Sequence, residues 1–268
     1  MGEHVPQMTT KFLFFSARDF VRSDIRNIIK VSEIPFLVIA ILFYVDSPFL
    51  ADIRDSLLPP FYWQIGALAE TVVLALLSVN IHRRYLLGDQ KGLGFGRREG
   101  KFLIAVFLLL ILPSALGGLA GFLLMFLRIV DWGGEYLFLF LIIAPYTLVY
   151  LRLPLCFPAI AVENKRTLFE KLKWSWRTMR GANLRAFFTV SISVVFVLVV
   201  YGVLSGLILD LIGENAIAQV FHSVIYSLYT VGITVWTVLL VSVLYKYVTR
   251  AETEKDPEAI PTTPPPVR

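Results

Sequence analysis

Cysteine is almost absent: Cys156 is the single thiol in 268 residues. One thiol excludes an internal disulfide framework and a multi-cysteine metal site. Histidine is nearly as scarce. His4, His82 and His222 are scattered, and no H-E-x-x-H is present, so zinc chemistry finds no ligand set. No nucleophile elbow occurs either. Charge is thin, at 17% of residues against about a quarter in a soluble domain. The apolar residues, 57% of the chain, do not alternate with the period of two that a transmembrane barrel requires.

What is present is a series of long apolar runs separated by short charged stretches. Runs of about 18 or more apolar residues read as membrane-spanning helices. The expected fold is all-α, a polytopic transmembrane helical bundle of about six spans plus amphipathic interfacial helices. The spans fall at about 29–50, 61–81, 102–127, 136–158, 186–209 and 217–245. They form an integral membrane domain over 1–248, followed by a charged, proline-rich tail at 249–268 that is expected to be disordered. The first span is short before Asp46 and Pro48 and must take in Lys30 or Glu33 to reach full length. "FLFF" at 12–15 is too short for a signal peptide, and Arg18 and Asp19 follow at once.

Charge sets the expected threading. The N-terminal segment, the second and fourth loops and the tail together hold 23 of the 25 basic residues. The opposite side holds only Arg54 and Arg128, with Asp46, Asp52, Asp55, Asp131, Glu135, Asp210 and Glu214. The positive-inside rule then places both termini in the cytoplasm. The net charge of +5 faces anionic lipid headgroups, so nucleic acid is not an expected partner.

Two segments look helical without spanning. In "TLFEKLKWSWRTMRG" (167–181), Thr167 and Glu170 have capping-box spacing and Gly181 sits at the C-cap position. Leu168, Leu172, Trp176 and Met179 fall on one face, away from Lys171, Arg177 and Arg180. In "SARDFVRSDIRNIIK" (16–30), Ser16 or Asp19 can cap, while Val21, Ile25, Ile28 and Ile29 share a face. Such stripes lie in a membrane interface or pack on the protein's own helices, and the pattern fits both. Just before the first segment, Arg152 falls in the inner third of the fourth span. Its long side chain can snorkel to the interface, and Pro154 and Pro158 bend the chain toward the surface helix.

The run Tyr150, Arg152, Pro158-Ala159-Ile160-Ala161-Val162-Glu163, Leu168, Trp174-Ser175-Trp176, Thr178 and Arg180-Gly181 resembles a signature of bacterial six-helix inner-membrane proteins. These are related to the membrane domain that precedes some glycerophosphodiester phosphodiesterases. The loop "IHRRYLLGDQKGLGFGRREGKFL" (81–103) resembles their stand-alone alphaproteobacterial members. The resemblance implies a helical bundle in a bacterial inner membrane. The chain has no room for the soluble phosphodiesterase barrel, so that activity is not implied. Phe102, Gly117 and Gly121 also recur 85 residues on as Phe187, Gly202 and Gly206, which suggests a parallel repeat with a small-residue seam in each copy.

The candidate intramembrane polar residues are Glu70, Arg152, His222, Ser227, Thr230 and Thr234. A carboxylate such as Glu70 costs ~2.5–3.5 kcal/mol in the bilayer unless it is paired, protonated or wetted. It is either an ion-coupling group or a protonated side chain bonded to a neighbouring helix, with Arg152, His222 or tyrosines such as Tyr226 as possible partners. Ser223, Ser227, Thr230, Thr234 and Thr237 follow a 4, 3, 4, 3 spacing on one face, as a packing seam or a hydrophilic path. Candidate lipid-headgroup residues are Arg97, Arg98, Lys171, Arg177 and Arg180. Arg97 and Arg98 follow a glycine-rich loop that is either an anion cradle or a flexible surface loop. No cofactor is expected. The expected function is non-enzymatic: organising lipid, or anchoring or assisting a membrane partner, with a protein partner or a homo-oligomer left open. The alternative is a small transporter or channel component using Glu70 and the hydroxyl stripe.

Overall fold

The structure, a computed structural model, describes residues 9–47, 50, 62–89, 96, 98–109, 119, 151–163, 166–180 and 216–255, with isolated positions between 184 and 206. Its bounded elements are α1 (Thr10–Val45), α2 (Tyr62–Leu87), α3 (Cys156–Val162), α4 (Leu168–Thr178) and α5 (Ala216–Lys255). Residues 98–109 form a further helical stretch, and no strand occurs among the described residues. Three helices, within Thr10–Val45, Ile65–Leu87 and Ala216–Glu252, are long and apolar enough to cross a membrane. The chain is therefore an all-helical membrane protein. The spans expected at 102–127, 136–158 and 186–209 lie largely outside the described residues, as do Gly117 and Gly121 and the tail from 256.

The amphipathic segment and the first span follow each other directly within α1, as two helical pieces that meet at a kink. Thr9 caps α1 by accepting from the Phe12 N–H at 3.2 Å. The inward line then runs Leu13, Ala17, Ile28, Val31, Pro35 and Ile39. The two pieces join at Asp24, where the backbone leaves helical geometry (φ −120°, ψ 18°) and bends. Asp19 does not cap; it pairs with Arg18 at 2.8 Å. The face expected from Val21, Ile25, Ile28 and Ile29 is corrected too, since Ile28 is buried but Ile25 and Ile29 are exposed. With 36 residues at about 1.5 Å each, α1 runs well beyond a hydrocarbon layer about 30 Å thick.

α1, α2 and α5 pack against one another, and α3 packs on α2, α4 and α5. Phe12 meets Tyr247 at 6.0 Å, whereas Phe43 meets Tyr226 at 4.2 Å, so α1 and α5 run antiparallel. Val238 through Tyr245 are buried without a break, because this half of α5 is enclosed by the other helices. The opposite half exposes Ile217, Val220, Phe221 and Leu228, and α1 exposes Ile34, Leu37 and Ile41. Apolar surface this extensive belongs in lipid. The helix α5 continues to Lys255, past the 248 boundary drawn from the sequence. α2 stops at Gly88, whose φ of 66° is the left-handed cap and whose N–H returns to the Arg84 carbonyl at 3.1 Å.

Candidate functional site

The polar residues gather at one end of the bundle, where α1 begins and α2 and α5 end. The corner Arg152–Met179 organises it. Helix ends at Arg152, a turn follows (Cys156 N–H to the Leu153 carbonyl, 3.1 Å), and the short α3 restarts at Cys156. Pro154 forces the break because it has no N–H to continue the ladder. Pro158 sits in the first turn of α3, where no N–H is needed, and is buried with Ala159, Ile160 and Ala161.

α4 begins with the capping box that the sequence signals. The Thr167 hydroxyl accepts from the Glu170 N–H at 3.4 Å, and Glu170 Oε2 accepts from the Thr167 N–H at 2.7 Å. Glu170 is held below the usual carboxylate range by these bonds from the Thr167 backbone and hydroxyl. The most deeply buried residues here are Lys171, Ser175 and Met179; of the expected face, Met179 is buried, Leu168 and Leu172 pack partly buried on the core, and Trp176 is exposed. Hydrogen bonds, not hydrophobicity, draw Lys171 and Ser175 inward. Lys171 Nζ donates to the Glu163 carbonyl at 2.6 Å, and Ser175 Oγ donates to the Arg152 carbonyl at 3.0 Å. Arg152 Nη1 donates to the Met179 carbonyl at 2.6 Å, and its guanidinium lies 5.7 Å from the Trp176 ring. Trp174 Nε1 donates to Glu252 of α5 at 3.1 Å, and Tyr245 of α5 donates to the Glu163 carboxylate. Residues of the motif at 152–180 thus fasten α4 to the bundle.

Arg152 is accordingly a helix-end donor. Lys171 is buried, which removes it as a direct headgroup contact on the outer surface. Arg177 and Arg180 are exposed, beside Lys173, Trp176 and Phe169, the last at 82% exposure. Arg97 lies outside the described residues, and Arg98 opens the 98–109 helix.

Inside the bundle the expected residues divide. Glu70 is half-buried and acts electrostatically on Tyr226, which shares a hydrogen bond with Thr230. His222 packs edge-on against Phe43 at 5.1 Å. The hydroxyl stripe splits in two. Ser223 and Ser227 donate back to the Val220 and Ser223 carbonyls at 2.8 and 2.7 Å, so these hydroxyls are satisfied within α5. Thr234 and Thr237 instead line a cavity of about 440 Å³, with Thr71, Ser78, His82, Phe102 and Phe157.

Three groupings escaped sequence reasoning. Arg84 pairs with Asp24 at the α1 bend, where Asn27 also donates to Asp24 at 2.5 Å. Arg83 bridges Asp89 and Glu99, the latter at 2.9 Å. His82 Nδ1 lies 2.7 Å from Ser242 Oγ. The same hydroxyl lies 2.8 Å from the Val238 carbonyl, so Ser242 links His82 to the backbone of α5. The run "NIHRRYLL" (80–87) placed all three basic side chains at one level, which was the available signal.

No protein-family model, curated protein or solved structure matches the chain.

Proposed function

We propose that this chain is a six-span, non-enzymatic protein of a bacterial inner membrane that organises anionic lipid at the cytoplasmic face, with both termini on that side. The supporting observation is α4. It is locked to the bundle through Arg152, Ser175, Lys171 and Trp174 and presents Phe169, Trp176, Lys173, Arg177 and Arg180 outward. Aromatic rings with interspersed cations suit the headgroup layer. The same face, presented in the membrane plane, serves equally to anchor a partner. The resemblance to the membrane domain of some glycerophosphodiester phosphodiesterases is part of this proposal and agrees with a lipid role.

The test is native mass spectrometry of protein released from vesicles containing phosphatidylglycerol. Each basic residue near an anionic surface contributes about 1 kcal/mol. The triple variant Lys173→Gln, Arg177→Gln, Arg180→Gln should therefore bind phosphatidylglycerol about 100-fold more weakly while keeping the helical content of the parent. Unchanged lipid retention in a folded triple variant removes α4 as the lipid-organising element.

The cavity bordered by Thr234 and Thr237 supports a second reading, a small transporter; its lining includes Thr71 but not the neighbouring Glu70, which the reading assigns as the coupling carboxylate. In proteoliposomes loaded with a pH-sensitive dye, Glu70→Gln should then abolish proton uptake, because a carboxamide carries no exchangeable acid proton at neutral pH. Identical traces for parent and variant end this reading.

A further inference from the structure

The 98–109 helix meets the α3–α4 corner through Phe102 and Ala105, which are buried with Cys156, Ile160 and Ala161, and Leu168 and Leu172 pack on the same cluster. Arg98 and Lys101 each lie four residues before one of these anchors, so they extend the same helix face toward the corner. On the other side of the corner stand Arg166 and Lys171. Arg166 Nε is 3.8 Å from Glu163 Oε2, and its guanidinium lies 5.4 Å from the Trp174 ring. Its Nη1 is buried and has no hydrogen-bond partner among the described residues. Lys171 is 4% exposed, and its three-donor ammonium meets one described acceptor, the Glu163 carbonyl.

Among the described residues, Glu163 and Glu170 do not fill the donors of Arg166 and Lys171. Glu163 accepts from Tyr245, and Glu170 is bound to Thr167 in the capping box. Lys171 feels its neighbours: burial pulls its ammonium below the usual lysine range, Glu163 opposes this, and the charges of Lys101, Arg166 and Arg98 add to it. A buried cation with unfilled donors is costly unless an anion joins it. The missing partner must carry several acceptor oxygens within one compact group, and phosphate does so.

We propose that Arg98, Lys101, Arg166 and Lys171 form a binding site for the phosphate group of a phosphate ester, set between the 98–109 helix and the α3–α4 corner. The proposal rests on the lipid reading above and gives it a defined internal site, distinct from the outer face of α4. A phospholipid headgroup and a soluble phosphate ester share the chemistry, and the experiment separates them.

The full chain is placed in phosphatidylcholine nanodiscs and titrated with dioctanoyl-phosphatidylglycerol, and separately with glycerol 3-phosphate, with thermal stability as the readout. The parent should be stabilised by at least one probe. Stabilisation by the lipid alone assigns a headgroup, and stabilisation by glycerol 3-phosphate assigns a soluble ester. Lys101→Gln removes an exposed cation and should fold as the parent does. It should weaken binding about fivefold, and Arg166→Gln should do the same. Lys171→Met tests the buried cation but can fail through misfolding, so Lys101→Gln carries the decision. Folded Lys101→Gln and Arg166→Gln variants with parental affinity for both probes overturn the site, as does a parent that neither probe stabilises. If the site variants bind normally while the triple variant of α4 loses lipid, this site fails and the functional reading stands. If the triple variant keeps its lipid as well, both fail.

Discussion

Arg152→Met should lower stability by about 3 kcal/mol and open α4 to protease. The arginine donates to the Met179 carbonyl at 2.6 Å, at the end of α4 where carbonyls lack helical partners. A hydrogen bond to a charged group contributes about 1.5–3 kcal/mol, and a cation over an aromatic face, here Trp176, adds about 0.5–1. Methionine keeps the aliphatic stem but removes both interactions. Ser175 donates to the Arg152 carbonyl, so the two residues hold each other's helix ends and the loss should spread along α4. Limited trypsin digestion gives the local readout: cleavage at Lys173 and Arg177 should rise well above the parent. Thermal unfolding in detergent gives the global one. Arg152→Lys should recover part of the loss, since an ammonium can donate to the carbonyl but cannot stack as a planar guanidinium does. A methionine variant with parental melting and parental cleavage would show that α4 is held without Arg152.

This residue also shows where sequence reasoning stops. An arginine in the last turns of an apolar run, with prolines after it, announces a change of chain direction, and the structure has that turn at 153–155, while the run before it lies outside the described residues. The snorkelling expectation supplied an aqueous destination. The observed acceptor lies 27 residues away, on a helix whose docking depends on tertiary contacts. Local signals fared well. The capping box at Thr167 and Glu170 is formed as its spacing demands, because both partners lie within one turn. The face of α4 fared worse, since hydrophobic periodicity cannot see that Lys171 and Ser175 are drawn inward by carbonyls at Glu163 and Arg152. The hydroxyl stripe of α5 was correctly placed on one face but has two environments, and only neighbouring helices decide between them. His82 and Ser242 lie 160 positions apart, so no local pattern couples them.

The largest effect is expected at the bend of α1. Asp24 and Arg84 form an ion pair that leaves Arg84 9% exposed and Asp24 19% exposed. Asp24 also marks the point where α1 departs from helical geometry, with Asn27 and Arg84 filling the acceptor positions of its carboxylate. Removing one partner strands the other charge beside the core. Asp24→Leu alone and Arg84→Met alone should each cost about 3–5 kcal/mol. The double variant should be far better than the sum, because no unpaired charge remains and the replacements pack against Ile28, Phe20 and Tyr85. A double-mutant cycle by denaturant or thermal unfolding in detergent measures this coupling. Additive losses would mean that the pair is no more than a surface contact. Strong coupling would give Asp24 a defined role. The pair ties the bend of α1 to the last turn of α2 at a fixed level of the bundle. α4 docks at that same end, on α3 and α5, and loosening the bend should therefore loosen this end of the protein as a whole.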